Sequence, residues 1–250
     1  MRFTTTLAGI AAVLTVATAG PALADSMTFA SSDIGKTVTL NYDGFTGTPS
    51  SPTTYSGLTG STTFTLTGVS GNDYTFDYAV ANTSSAPVTD SRISSFAFDT
   101  DPSISSANST GAFSYTTLNS NYPNGIGTVD VCFKDALTGS CAGGGSGGLT
   151  IGQSGTGSFT LSFSTAPSAL TLSNFFVRYQ SITGISGVSS ASGSGTITSS
   201  STTSSTTTST STGGTPVPEP GMLGLFGAGL IGLALARRRA PALRQTLRAA

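Results

Sequence analysis

Asp99-Thr100-Asp101 places two carboxylates on alternate residues. Such a pair can share a Ca²⁺ with backbone carbonyls. Asp33, Asp43 and Asp130 are the further ligands that a fold would have to bring alongside. Asp101 also precedes Pro102, a turn signal, so the same residues read as a solvated strand end. No EF-hand loop and no glycine-rich nonapeptide repeat accompanies them. A glycosidase would need two carboxylates across a sugar. Ten Asp precede the C-terminal tail, but the first Glu is Glu219, and no Asp sits in a recognisable catalytic setting. Thr63, Thr65 and Thr67 form a Thr row of the kind that can match an ice or polysaccharide surface, and Thr37/Thr39 is a second such row. Thr is also the ordinary solvent-facing residue of a strand. The chain has no His, which removes Ser-His-Asp and Cys-His catalysis and His-ligated zinc. Two Cys cannot build a structural zinc site.

The elements that must position these residues are strands. Val38, Leu40 and Tyr42 alternate with polar neighbours, as do Phe64 and Leu66. Tyr74, Phe76, Tyr78 and Val80 form a longer run of period two. Phe96/Phe98, Val129/Val131/Phe133, Phe159/Leu161/Phe163 and Leu170/Leu172 continue it, followed by Phe176-Val177-Arg178-Tyr179. Period two sends one side of each strand to a core and the other to water. Clusters such as Gly71-Asn72-Asp73 and Pro123-Asn124-Gly125 punctuate the runs. No stretch of 25–197 shows a 3.6-residue apolar period. The reading is all-β: eight or nine strands in an antiparallel β-sandwich of jelly-roll or Ig-like type. Tyr74 and Tyr78 fall on its apolar face, and there is no Trp to stack on sugars.

The 250 residues are 8% charged, against about 25% in an average soluble protein. The formal net charge of −1 hides an asymmetry. Residues 25–197 hold four basic side chains (Lys36, Arg92, Lys134 and Arg178) against ten Asp, a net −6. An acidic domain disfavours nucleic acid as a partner and suits solubility outside the cell.

Both ends read as addresses. Arg2, the apolar run Leu7–Ala19 and the small residues Ala22 and Ala24 form a secretory signal over 1–24, with signal peptidase as partner. Thr198 to Thr212 is fifteen consecutive Ser or Thr residues, with nothing to bury against a core. It reads as the start of a linker over 198–217. Pro218-Glu219-Pro220 follows, then the uncharged segment Gly221–Ala236 and Arg237-Arg238-Arg239. As a helix that segment spans about 24 Å, slightly short of the bilayer's hydrocarbon core. Arg237–Arg239 would keep a 240–250 tail in the cytoplasm and the domain outside. In an exported domain, Cys132 and Cys141 are expected to form a disulfide across a short loop. The run Gly143–Gly148 after them reads as flexible.

Val217-Pro218-Glu219-Pro220, the Gly-rich span and the triple Arg (218–239) resemble a PEP-CTERM sorting signal, found on exported proteins of Gram-negative bacteria that make exopolysaccharide. The resemblance implies that a membrane-embedded exosortase reads Pro218, Glu219 and Pro220 and processes a precursor anchored in the inner membrane. The mature protein would be surface-attached or released. The Cys pair, Gly143–Gly148 and Phe176-Val177-Arg178-Tyr179-Gln180-Ser181 resemble the cistern group of these proteins. That group has no established activity to carry over, and the leading expectation is a structural or adhesive role among exopolysaccharides, without cofactor or catalysis. A carbohydrate- or Ca²⁺-dependent binding module is the alternative, with Asp99 and Asp101 as its metal ligands.

Overall fold

The computed structural model describes residues 25–201, residue 139 excepted. The signal peptide, the sorting signal and the expected transmembrane span lie outside the described residues. Among those described, no helix is long and apolar enough to cross a membrane. Twelve strands carry the fold: β1 (Ser26–Ala30), β2 (Thr37–Thr48), β3 (Ser51–Ser70), β4 (Asp73–Asn82), β5 (Asp90–Asp101), β6 (Ser106–Ser109), β7 (Tyr115–Tyr122), β8 (Gly127–Lys134), β9 (Leu149–Thr150), β10 (Ser154–Ser162), β11 (Ala169–Thr183) and β12 (Ser190–Ser201). The alternating runs named in the sequence fall on β2, β3, β4, β5, β8, β10 and β11, and miss β1, β6, β7, β9 and β12. β6 and β9 are short, β1 and β7 carry few apolar residues, and β12 is mostly Ser and Gly, so none has a clear apolar alternation to read. β12 also runs into the Ser/Thr tract, pairing Ser199 and Ser201 with Thr39 and Thr37 of β2.

Every pairing is antiparallel, in the order β6-β10-β4-β3-β2-β12-β11-β5-β8-β7, with β1 added on β11 and β9 on β5. The two layers of the expected sandwich are halves of this one continuous sheet. Its end strands β6 and β7 touch, so the sheet nearly closes on itself. The inward residues are those the alternation marks. Phe64 of β3 meets Phe96 and Phe98 of β5, Phe159 of β10 and Phe175 of β11, with ring centroids 5.8, 5.7, 5.7 and 6.1 Å away. Phe133 of β8 closes the cluster, 4.9 Å from Phe96 and 4.8 Å from Phe159. Each such ring contributes about 1.5–3 kcal/mol through the area it removes from water.

β5 breaks the alternation: nearly all of its residues are buried, on both faces. A second small core lies on its outer side, made of Ala97, Tyr122, Val129, Cys132, Cys141 and Phe176. The Gly-rich run that reads as flexible is held down over this side. Arg92 Nη1 pairs with Asp135 Oδ2 (3.3 Å) and donates to the Gly147 carbonyl (2.8 Å), and Nη2 donates to Gly144 (2.5 Å) and to Gln180 Oε1. Gly144 N in turn donates to Asp135 Oδ1 (2.9 Å). Glycine is required here for proximity as well as for turning. A Cβ on Gly148 (φ +80°) would lie 2.4 Å from the Ile93 carbonyl oxygen.

Candidate functional site

Among the described residues, no covering layer of this kind lies over the outer face of β12, β2, β3, β4 and β10. Alternation sends every second residue of these strands outward, and most are Thr, Ser or Ala. Register then lines them up across the sheet. One row reads Ser201, Thr37, Thr65, Asp77, Ser158. The next reads Ser199, Thr39, Thr63, Ala79, Thr156, and a third Thr196, Asn41, Ser61, Ala81, Ser154. Strands about 4.8 Å apart, with outward residues about 6.7 Å apart along each strand, make this a two-dimensional net of hydroxyls. Neighbouring hydroxyls hydrogen-bond across strands: Thr37 to Thr65, Thr39 to Thr63 and Thr75 to Thr160, each at 3.1 Å. The sequence exposes two Thr rows, and the fold extends them into a face.

Side-chain size sculpts that face into a groove. Small Ala79 beside Asp77 makes β4 its floor. Thr63 and Thr65 of β3 form one wall, and Thr156 and Gly157 of β10 the other. The depression holds about 400 Å³. Asp77 is exposed and makes no hydrogen bond or ion pair among the described residues, leaving both oxygens as acceptors. A second depression of about 380 Å³ lies along β2 and β3, lined by Asn41, Asp43, Thr59, Ser61 and Thr83. Among the described residues no basic side chain lines either depression. This surface can offer hydroxyl donors and acceptors and a carboxylate to a neutral polyol, and it repels anions.

The residues singled out for metal chemistry go elsewhere. Asp99 Oδ1 accepts the Asp130 backbone N–H (3.1 Å), and Oδ2 accepts from Asn174 Nδ2 (2.8 Å). Asp130 Oδ2 accepts the Thr100 N–H (2.8 Å). These carboxylates knit β5 to β8 and β11, while Asp101 lies exposed at the strand end opposite Thr171. Among the described residues no three His, Cys, Asp or Glu side chains come together to hold a metal ion.

The expected disulfide is a correction. Cys132 and Cys141 are both buried free thiols. The Cys132 thiol points to the Cys141 carbonyl, 3.7 Å away, and burial pushes its pKa well up. Hydrogen bonds fasten this segment where a cross-link was expected. Ser95 Oγ donates to the Cys141 carbonyl (2.6 Å), and Gln180 Nε2 to that of Ala142 (2.6 Å). Asn82-Thr83-Ser84 and Asn108-Ser109-Thr110 match the Asn-x-Ser/Thr glycosylation pattern. Asn82 is buried and its amide donates to the Ser91 and Leu149 carbonyls, whereas Asn108 is exposed on β6.

Sequence reasoning missed Asp77, Ala79 and Thr156 as one site, because no spacing reveals which strands become neighbours. It found Arg178 and Gln180 only as letters of a motif. Both project outward from β11 into the covered side. Ala22, Ala24, Pro218, Glu219, Pro220 and Arg237–Arg239 lie outside the described residues. Their meaning comes from comparison. Residues 216–239 match a family model described as the PEP-CTERM protein-sorting motif. The chain carries a PEP-CTERM sorting signal. No curated protein and no solved structure matches it. The PEP-CTERM motif marks an exported protein whose membrane-anchored precursor is sorted to the cell surface by exosortase, itself a membrane protein.

Proposed function

We propose that this PEP-CTERM protein is a non-enzymatic structural and adhesive component of the cell surface or extracellular matrix, and that its hydroxyl face holds neutral exopolysaccharide. The observation that carries the reading is the Thr-walled groove on β4, open to solvent and free of cations. Aligned hydroxyls suit exchange of hydrogen bonds with sugar hydroxyls, and unpartnered Asp77 suits capture of a vicinal pair of them. Asp77 is the single carboxylate lining the groove, where glycoside hydrolysis uses two. The sorting motif supports the reading by delivering the domain to where such polymers lie. The acidic character of the domain favours neutral over acidic polymers.

The test is co-sedimentation of the exported protein with insoluble neutral glucan and, in parallel, with an acidic polyuronate. Retention on the neutral polymer is expected, and Thr63→Val with Thr156→Val should weaken it about thirtyfold, since each of the two lost hydrogen bonds is worth about 1 kcal/mol. Equal retention of the double variant would remove the groove from the function.

A further inference from the structure

Among the described residues, Arg178 is a buried cation without a counter-ion: it is 9% exposed, its Nη1 donates to Asn124 Oδ1 (2.5 Å), its Nη2 donates to Ser190 Oγ (2.8 Å), and its Nε finds no partner there. The ion pairs among the described residues, Lys36–Asp33 and Arg92–Asp135, leave it out. Burying a charge unpaired is costly, and desolvation pulls its pKa below the ordinary guanidinium range.

The acceptor of that guanidinium is unusual. Asn124 is followed by Gly125, the one Asn-Gly dipeptide in the chain, in the turn between β7 and β8. Gly125 is exposed, has no Cβ to hinder approach, and its N–H makes no hydrogen bond among the described residues. Asn124 Oδ1 receives a second donor, Ser192 Oγ, at 2.9 Å, a hydroxyl that also lies 3.4 Å from the Pro123 carbonyl. A cationic N–H and a hydroxyl on one amide oxygen make the arrangement that stabilises a developing oxyanion. The nucleophile for that carbon, the Gly125 amide nitrogen, is the next atom group along the chain.

We propose that Asn124-Gly125 is a self-modification site, at which the fold converts Asn124 to Asp and so supplies the counter-ion that Arg178 lacks. Gly125 N bonds to Asn124 Cγ, the Cγ–NH₂ bond breaks, and ammonia leaves with the proton from Gly125 N. The succinimide then takes up water at Cγ, the Cγ–N bond breaks, and the proton returns to Gly125 N. The net change is one water consumed and one ammonia released. Arg178 and Ser192 polarise Cγ in both steps. Opening is therefore directed to normal aspartate, where attack at the main-chain carbonyl would give isoaspartate. The product carboxylate lies against the guanidinium, and a neutral contact becomes an ion pair.

The test is timed incubation of the full-length exported protein, folded and in parallel in urea. Peptides containing residue 124 are then resolved by mass spectrometry into Asn, Asp and isoAsp forms. Faster conversion in the folded chain, with Asp as the main product, is expected. Ser192→Ala should slow the folded-state reaction about tenfold or more and raise the isoAsp share, and Asn124→Asp should raise the unfolding midpoint. Slower conversion when folded than in urea, or the same Asp-to-isoAsp ratio in both, would overturn the proposal. A lower midpoint for Asn124→Asp would overturn the counter-ion it is said to supply.

Discussion

The two outer faces of the sheet differ more than their sequences suggest. Both alternate with period two, and both send polar residues away from the same aromatic core. On β2, β3, β4 and β10 these are Thr, Ser, Ala and Asp, which are satisfied by one another and by water. On β5, β8 and β11 they include three buried cations: Arg92, bonded to the Gly144 and Gly147 carbonyls, Lys134, bonded within β7 and the loop after β8, and Arg178, bonded to Asn124 of the β7–β8 turn. Lys134 is 1% exposed, and its ammonium donates to Thr117 Oγ1 and to the Thr138 carbonyl. The lesson concerns the length and charge of the outward side chain. A short hydroxyl is content at the surface. A guanidinium has enough donors to tie loop carbonyls to a strand, and so gathers a second layer over itself.

If that contrast is right, the largest stability loss comes from the covered side. Arg92→Ala leaves Asp135 buried and unpaired, and frees the carbonyls of Gly144 and Gly147. It is expected to cost about 3–5 kcal/mol in urea unfolding and to open 142–148 to proteolysis. A loss below about 1 kcal/mol would place the clamp with ordinary surface ion pairs.

Alkaline pH gives the next effect. Burial raises the pKa of Tyr42 and Tyr179, facing the main core, and of Tyr122 in the small outer one. A raised folded pKa on an acid means that the unfolded chain ionises first. Stability is therefore fully present below the unfolded tyrosine pKa of about 10 and is lost as pH rises through it. Unfolding midpoints should fall steeply above that pH. Tyr122→Phe should reduce the fall if the small outer core contributes to it, and an unchanged slope would assign the loss to the tyrosines of the main core, where burial raises Tyr74 and Tyr78 as well.

The smallest effect belongs to the open face. Thr63→Val keeps the shape of the groove wall and removes one half-exposed hydroxyl. It should change unfolding free energy by no more than about 0.5 kcal/mol. A loss near that of Arg92→Ala would mean that the hydroxyl net holds the sheet together, and would erase the distinction between the two faces.

Much of the fold is legible in the chain because alternation is local. Tyr74, Phe76, Tyr78 and Val80 are all buried as their spacing requires, and so are Phe64, Phe96 and Phe98. β12 was illegible for the opposite reason. Ser190–Ser201 has almost no apolar residue, and it becomes a central strand because Gly193 and Gly195 let Tyr42, Phe175 and Tyr179 approach closely. The disulfide expectation came from compartment and loop length. The fold instead directs the Cys132 thiol to a backbone carbonyl. The Gly143–Gly148 run read as slack because glycine carries no sign of what it passes. Arg92, fifty residues upstream, decides that it is held.

The sequence by itself determined the strand class, the inward residues and, through residues 216–239, the protein's destination. Those properties are written in neighbours one, two or a few residues apart. Only the tertiary structure decided that Thr63 and Thr65 face Thr156 across Ala79 and Asp77, or that Arg178 meets Asn124 of a distant turn. Those pairings depend on strand order, which is set by packing the whole aromatic core, and no local pattern encodes it.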